Sequence, residues 1–162
     1  MFHLWAPWRM AYVGGTRTPG CIFCAARDTT DPRAQHVLAQ APAVVMLNRF
    51  PYTSGHIMVA PRAHLADLTT LPAAEFDTLM RSLQRAVAVV RDTFQPDGMN
   101  VGMNLGVAAG AGVVDHLHWH IVPRWVGDTN FMPMLADVRV VPEHLDRTFE
   151  RLAALAGHLT AA

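Results

Sequence analysis

His116-Leu117-His118-Trp119-His120-Ile121-Val122-Pro123-Arg124 alternates imidazoles with apolar side chains and then runs apolar to a proline. Residues two apart on an extended chain share a face. A strand here sends His116, His118 and His120 to one side and Leu117, Trp119 and Ile121 to the other. The apolar side needs a core, so the stretch reads as a sheet strand whose central section Pro123 ends. Three imidazoles in register on the other face need hydrogen-bond partners or a ligand. Same-face neighbours on a strand lie roughly 7 Å apart and the outer pair about 13 Å. Two adjacent rings can share one ion, and the third hardly joins them. Divided roles are physically easier: one histidine on a metal, one on substrate, one in support.

Short strands are expected upstream at Val37-Leu38 and Ala43–Leu47. The turn-forming Asn48-Arg49-Phe50-Pro51 then leads to a further strand at His56–Pro61, and this order suggests an antiparallel pair. Residues 73 to 94 carry the strongest helical signal, with Phe76, Leu79, Met80, Leu83, Ala86, Val87, Val90 and Phe94 at three- and four-residue steps. Thr69 and Thr70 are candidate caps, Pro72 suits the first turn, and Pro96-Asp97-Gly98 stops the helix. Met99–Leu105 reads as a strand, residues 106 to 112 as a glycine-rich loop, and Glu143–Leu159 as one last weak helix. Strands in series with one long helix between them give an α+β fold, not a doubly wound parallel sheet.

The chain has 162 residues, about half of them apolar, and 13 basic residues balance 13 acidic ones. Its length suits a single domain with a real core. The neutral balance lacks the basic excess of a nucleic-acid binder, yet leaves room for a phosphorylated small ligand. No apolar run reaches the roughly 20 residues of a membrane span, and no targeting segment is visible, so a cytoplasmic protein is expected. Trp5 and Trp8 read as packing anchors of an N-terminal arm over residues 1–20.

A neutral imidazole is a competent nucleophile toward phosphorus near pH 7, and a phosphoramidate splits one hard displacement into two easier ones. His118, at the centre of the triplet, is the expected attacker. Charge developing on the phosphoryl oxygens needs donors already in place. The amides of Gly110-Ala111-Gly112 and a protonated His120 are the candidates.

The triplet resembles the signature of the histidine triad (HIT) family of nucleotide hydrolases and transferases. Asn48-Arg49-Phe50-Pro51 and Gly55-His56-Ile57-Met58-Val59-Ala60-Pro61 are similar to that family's other motif stretch. The resemblance covers residues 21–131. Leu4–Arg9 and Pro123–Phe131 extend it to the bacterial branch described as diadenosine tetraphosphate phosphorylases. It implies a HIT-like antiparallel sheet of about five strands with one long and one C-terminal helix, in a homodimer. It divides the chain into the arm, a HIT domain over 21–131, and a C-terminal extension over 132–162 packed on that domain.

His118 would then attack the α-phosphorus of a nucleotide, with an adenine dinucleotide polyphosphate as the implied substrate and His116 and His120 beside it. His120 would contact phosphate and Asn48 the ribose. Asn104 aligns with a phosphate-contacting amide, and His56 with a motif histidine near the site. Many members carry Ser or Thr shortly before the triplet. Gly112 and Val113 stand there, so backbone amides such as that of Gly112 take over or leaving-group chemistry weakens.

Cys21-Ile22-Phe23-Cys24 offers two thiols from a tight turn, which suits a metal, a redox pair or a plain reduced pair. The resemblance supplies His64 and His116 as further ligands of a structural zinc, since four protein ligands leave no open position. No organic cofactor is expected. The remaining alternatives are a hydrolase of adenosine phosphoramidates or AMP conjugates, a nucleotide-binding protein with little catalysis, and a metal-dependent hydrolase.

Overall fold

The computed structural model describes residues 20–128 and 143–160. The expectations for Trp5 and Trp8, for all but the last residue of the arm over residues 1–20, and for the motif beyond Asp128 fall outside them.

Strands β1 (Val37–Ala39), β2 (Val44–Leu47), β3 (Ile57–Ala60), β4 (Gly98–Met103) and β5 (Trp119–Arg124) form one antiparallel sheet in the order β1-β2-β3-β5-β4. The fold is α+β. Every residue of β2 and β3 is buried, because both faces of the sheet are covered. Val45, Leu47, Ile57, Val59 and Ile121 face one core, with the long helix and the C-terminal segment. Val44, Met46, Met58 and Ala60 face a second core.

The second core belongs to a helix the sequence reading missed, α1 (Ile22–Asp28). The cysteine stretch is therefore the start of a helix rather than a free turn, with Cys21 at the N-cap. Phe23 and Ala26, three residues apart, press its buried face onto the sheet. At its other end the Gln40 amide lies within 2.9–3.1 Å of the carbonyls of Ala26, Arg27 and Thr29.

The long helix α2 spans Ala73–Phe94, as its periodicity predicts. Its stripe is buried at Leu79, Ala86 and Val90, whereas Phe76 is exposed. Thr69 and Thr70 do not cap it. They lie in a separate 3-10 turn started by Asp67, whose carboxylate accepts from the Thr69 amide at 2.8 Å. Pro72 occupies the N-cap itself. At the far end Gln95 turns left-handed at φ 48° and donates its amide to the Arg91 carbonyl.

The single C-terminal helix resolves into α3 (Leu145–Ala153) and α4 (Gly157–Thr160). Phe149, Leu152 and Leu159 enter the same core as α2. A His36–Asp146 contact at 2.8 Å ties α3 to the start of β1.

The histidine stretch differs from a continuous strand. The ladder begins at Trp119, opposite Val59 of β3 and Met103 of β4, so His116–His118 precedes it with no strand among the described residues on either side. Pro61 follows β3 and has no amide to offer. Pro123 does not end β5 but sits within it, opposite Met99 of β4. Pairing with β3 has already stopped at Ile121, and Thr53 Oγ1 donates to the Pro123 carbonyl instead. A proline is tolerated where only one neighbour strand remains.

Candidate functional site

Alternation survives although the ladder starts late. His120 lies in register with Met58, on the α1 side of the sheet. His116 and His118 share that side, because the Phe23 ring touches both, at centroid distances of 5.1 and 4.9 Å.

His116 points toward the cysteines. Its Nε2 lies 2.9 Å from the Pro61 carbonyl, which can only accept, so that nitrogen carries the proton and Nδ1 keeps its lone pair. That lone pair faces Cys21 Sγ at 3.2 Å, His64 Nδ1 at 3.3 Å and Cys24 Sγ at 3.8 Å, and Cys24 Sγ is 3.4 Å from His64 Nδ1. All four ligand atoms lie within 4.8 Å of one another. A tetrahedral zinc with ordinary bond lengths has edges of about 3.3 Å between nitrogens, 3.5 Å between nitrogen and sulfur, and 3.8 Å between sulfurs. The cluster fits a zinc ion in spacing and in donor type. Four protein donors leave no position for water, so such an ion would stabilise the fold rather than activate a nucleophile. The Pro61 carbonyl is the partner that fixes the ligating ring.

His118 is buried, and its Nδ1 donates to the His116 carbonyl at 2.9 Å. Its proton is thereby placed on Nδ1, and the Nε2 lone pair has no hydrogen-bond partner among the described residues. Burial lowers its pKa below the usual histidine value, so the neutral form prevails at pH 7.

A second chain of donors fixes His120. The Tyr52 amide donates to His56 Nδ1 at 3.1 Å, so the His56 proton sits on Nε2, which donates to His120 Nδ1 at 2.9 Å. The His120 proton then sits on Nε2, available as a donor. Burial, and secondarily the neighbouring His118, push its pKa down to about 4. The expected protonated His120 is therefore corrected: the ring is neutral at pH 7, and it is the tautomer that makes it a donor. The His118 and His120 rings meet edge to face, 4.9 Å apart. The Tyr52 ring stacks on His56 at 4.8 Å.

Asn48 follows β2, half-buried, with Oδ1 accepting from the Phe50 amide at 2.9 Å. That bond closes a local turn. Asn104 follows β4 and reaches the Gly110 carbonyl with Nδ2 at a long 3.5 Å. Gly112 lies in the exposed bend before the triplet, and only Gly106 and Gly110 of this loop have positive φ. The residues missed in the sequence are Phe23, Tyr52, and Pro61 as an acceptor. Cys21/Cys24 and Phe23/Ala26 repeat at three residues, the helical signal that was available.

A model of the HIT domain matches residues 30–126. Over 159 residues the chain is 35% identical to the AP-4-A phosphorylase of Mycobacterium tuberculosis, covering 93% of this chain and 82% of that one. Among solved structures it is similar to a Zn-bound histidine triad family protein from Mycobacterium smegmatis, 29% identical, with a TM-score of 0.66 over 86% of this chain and 95% of that one. A hypothetical histidine triad nucleotide-binding protein of Sulfolobus tokodaii, at 22% identity and a TM-score of 0.66 over 86% of this chain and 91% of that one, shares the fold. The match to the domain spans well over half of the sequence, and the chain belongs to the HIT domain family.

Proposed function

We propose that this HIT-family enzyme is a nucleotide phosphorylase or hydrolase that cleaves dinucleoside polyphosphates through a nucleotidyl group carried on His118. The observation that carries the reading is the Nδ1-protonated His118, held by the His116 carbonyl with its Nε2 lone pair uncommitted. The Nε2 lone pair attacks the α-phosphorus. The P–N bond forms as the bond to the bridging oxygen breaks, and the polyphosphate leaves with that electron pair. Neutral His120 offers its Nε2 proton to a phosphoryl or bridging oxygen, and amides of the loop around Gly112 add donors where no hydroxyl stands. In the second step an oxygen of inorganic phosphate, or of water, displaces His118 and restores the ring.

The 35% identity to an AP-4-A phosphorylase favours phosphate as that acceptor and diadenosine tetraphosphate as the substrate. In this reading Asn48 holds the ribose, Asn104 a phosphate, and the four-ligand cluster holds structural zinc. The protein works as a homodimer, for which the edge strand β4 with its exposed Val101 offers a surface.

Product analysis on diadenosine tetraphosphate tests the assignment. ADP plus ATP appearing only with inorganic phosphate is expected. AMP plus ATP without phosphate identifies a hydrolase, and no turnover under either condition overturns the substrate. His118→Ala is expected to abolish turnover while nucleotide binding survives; undiminished turnover would refute the nucleophile.

A further inference from the structure

The segment carrying the nucleophile lies outside the sheet, and its backbone is tied to neighbouring chain by the Leu117 amide on the Leu65 carbonyl at 2.7 Å. The hydrogen bond from Nδ1 fixes one edge of the His118 ring. The Phe23 ring lies against that ring, with centroids 4.9 Å apart and planes tilted by 31°. Phe23 is 0% exposed, in one buried cluster with Val44, Met46 and Met58.

What holds Phe23 is the next question. Helix α1 has seven residues, too few to be stable by itself. Its C-terminal end is tied by Gln40. Its N-terminal end has no side-chain cap. Phe23 itself is held in the cluster with Val44, Met46 and Met58, and Cys21 and Cys24, on either side of it, face His64 and His116 and can fasten that end.

We propose that Phe23 is a positioning residue for His118, and that a metal held by Cys21, Cys24, His64 and His116 sets where Phe23 sits. The metal then acts on the reaction without touching substrate, by fixing the turn whose central ring backs the nucleophile. This rests on the reading of His118 as the attacking group. A flat backing ring restrains rotation about the last side-chain torsion of His118, and a small misalignment of an attacking atom can cost on the order of 100-fold in rate.

The test uses zinc-loaded protein with labelled histidine, comparing wild type with Phe23→Leu, which fills most of the space but offers no flat face. Expected is a fall in kcat of about ten-fold or more with KM nearly unchanged, together with displaced His118 ring resonances. Exchanging zinc for cadmium, which binds the same donors at longer distances, should also displace those resonances in wild type, and by less than half as much in Phe23→Leu. A raised KM with unchanged kcat would mean that Phe23 meets the nucleoside, and would overturn the proposal. So would kcat falling only in step with melting temperature while the His118 resonances stay put. Equal cadmium displacements in both proteins would route the metal's effect through His116 and refute the link to Phe23. The resonances report on His118 whether or not it is the nucleophile. If His118→Ala retains turnover while Phe23→Leu still moves the ring, the functional reading fails and the positioning does not.

Discussion

Each histidine of the triplet has its proton placed by a different acceptor or donor, and that placement assigns its role. A backbone carbonyl on Nε2 turns His116 toward the cysteines. A carbonyl on Nδ1 leaves the His118 Nε2 bare. The His56 ring, itself set by the Tyr52 amide, leaves His120 a donor. His56→Ala removes that last constraint, and kcat is expected to drop between about 10- and 100-fold as His120 loses its fixed tautomer. Steady-state kinetics check this, and His56→Asn, which keeps a donor, should recover part of the loss.

Acid sensitivity belongs to the same residues. Folded His120 titrates at about 4, whereas an unfolded histidine titrates near 6.5. Between these values the unfolded chain takes up a proton that the folded protein excludes. The contribution is complete above about pH 6.5 and is lost as pH falls toward 4. Melting temperature should therefore decline on acidification through that window, and less steeply in His120→Asn; equal slopes would place the acid sensitivity elsewhere. Alternation alone exposed the three imidazoles in the sequence. Their tautomers were illegible, because they depend on Pro61 and His56, 55 and 64 residues away from their partners.

At the scale of elements, α2 was legible over its whole length because 22 residues repeat one apolar stripe. Helix α1 was not, since seven residues give too few turns for a period to stand out. The ends of β5 were misjudged for a related reason: whether a proline is tolerated depends on which neighbour strands reach it. The turn into β3 is the most constrained connection. Gly55 has φ +82°, and a Cβ there would lie 2.8 Å from the Phe94 ring at the end of α2. Gly55→Ala combines a left-handed backbone with a clash against a ring that is itself packed, under the Arg151 guanidinium at 4.4 Å. The expected loss is about 2–4 kcal/mol by denaturant titration. Because His56 is the next residue, activity should fall further than the unfolded fraction accounts for.

Across the whole molecule, the sheet separates chemistry from mass. The triplet, α1 and the metal ligands share one face, while α2, α3 and α4 fill the other. The sequence announced the helical C-terminal segment but not its break, which falls between Ala153 and Gly157 although Ala154-Leu155-Ala156 are strong helix formers. The resemblance implied that this segment packs on the domain, without saying whether it shares one cooperative core. Leu152 decides the matter energetically. It is 0% exposed within the core that also contains Leu79, Val89 and Ile121. Leu152→Ala removes a buried leucine and should cost about 2–5 kcal/mol. If the C-terminal helices and the sheet unfold as one unit, that loss appears as a single cooperative transition at lower denaturant, with helical and tryptophan signals moving together. An early helical transition that leaves the sheet's own midpoint unchanged would instead make residues 143–160 a separately folding appendage. The His36–Asp146 and Arg33–Glu150 contacts, which join α3 to the chain around β1 at 2.8 and 2.6 Å, favour the single unit.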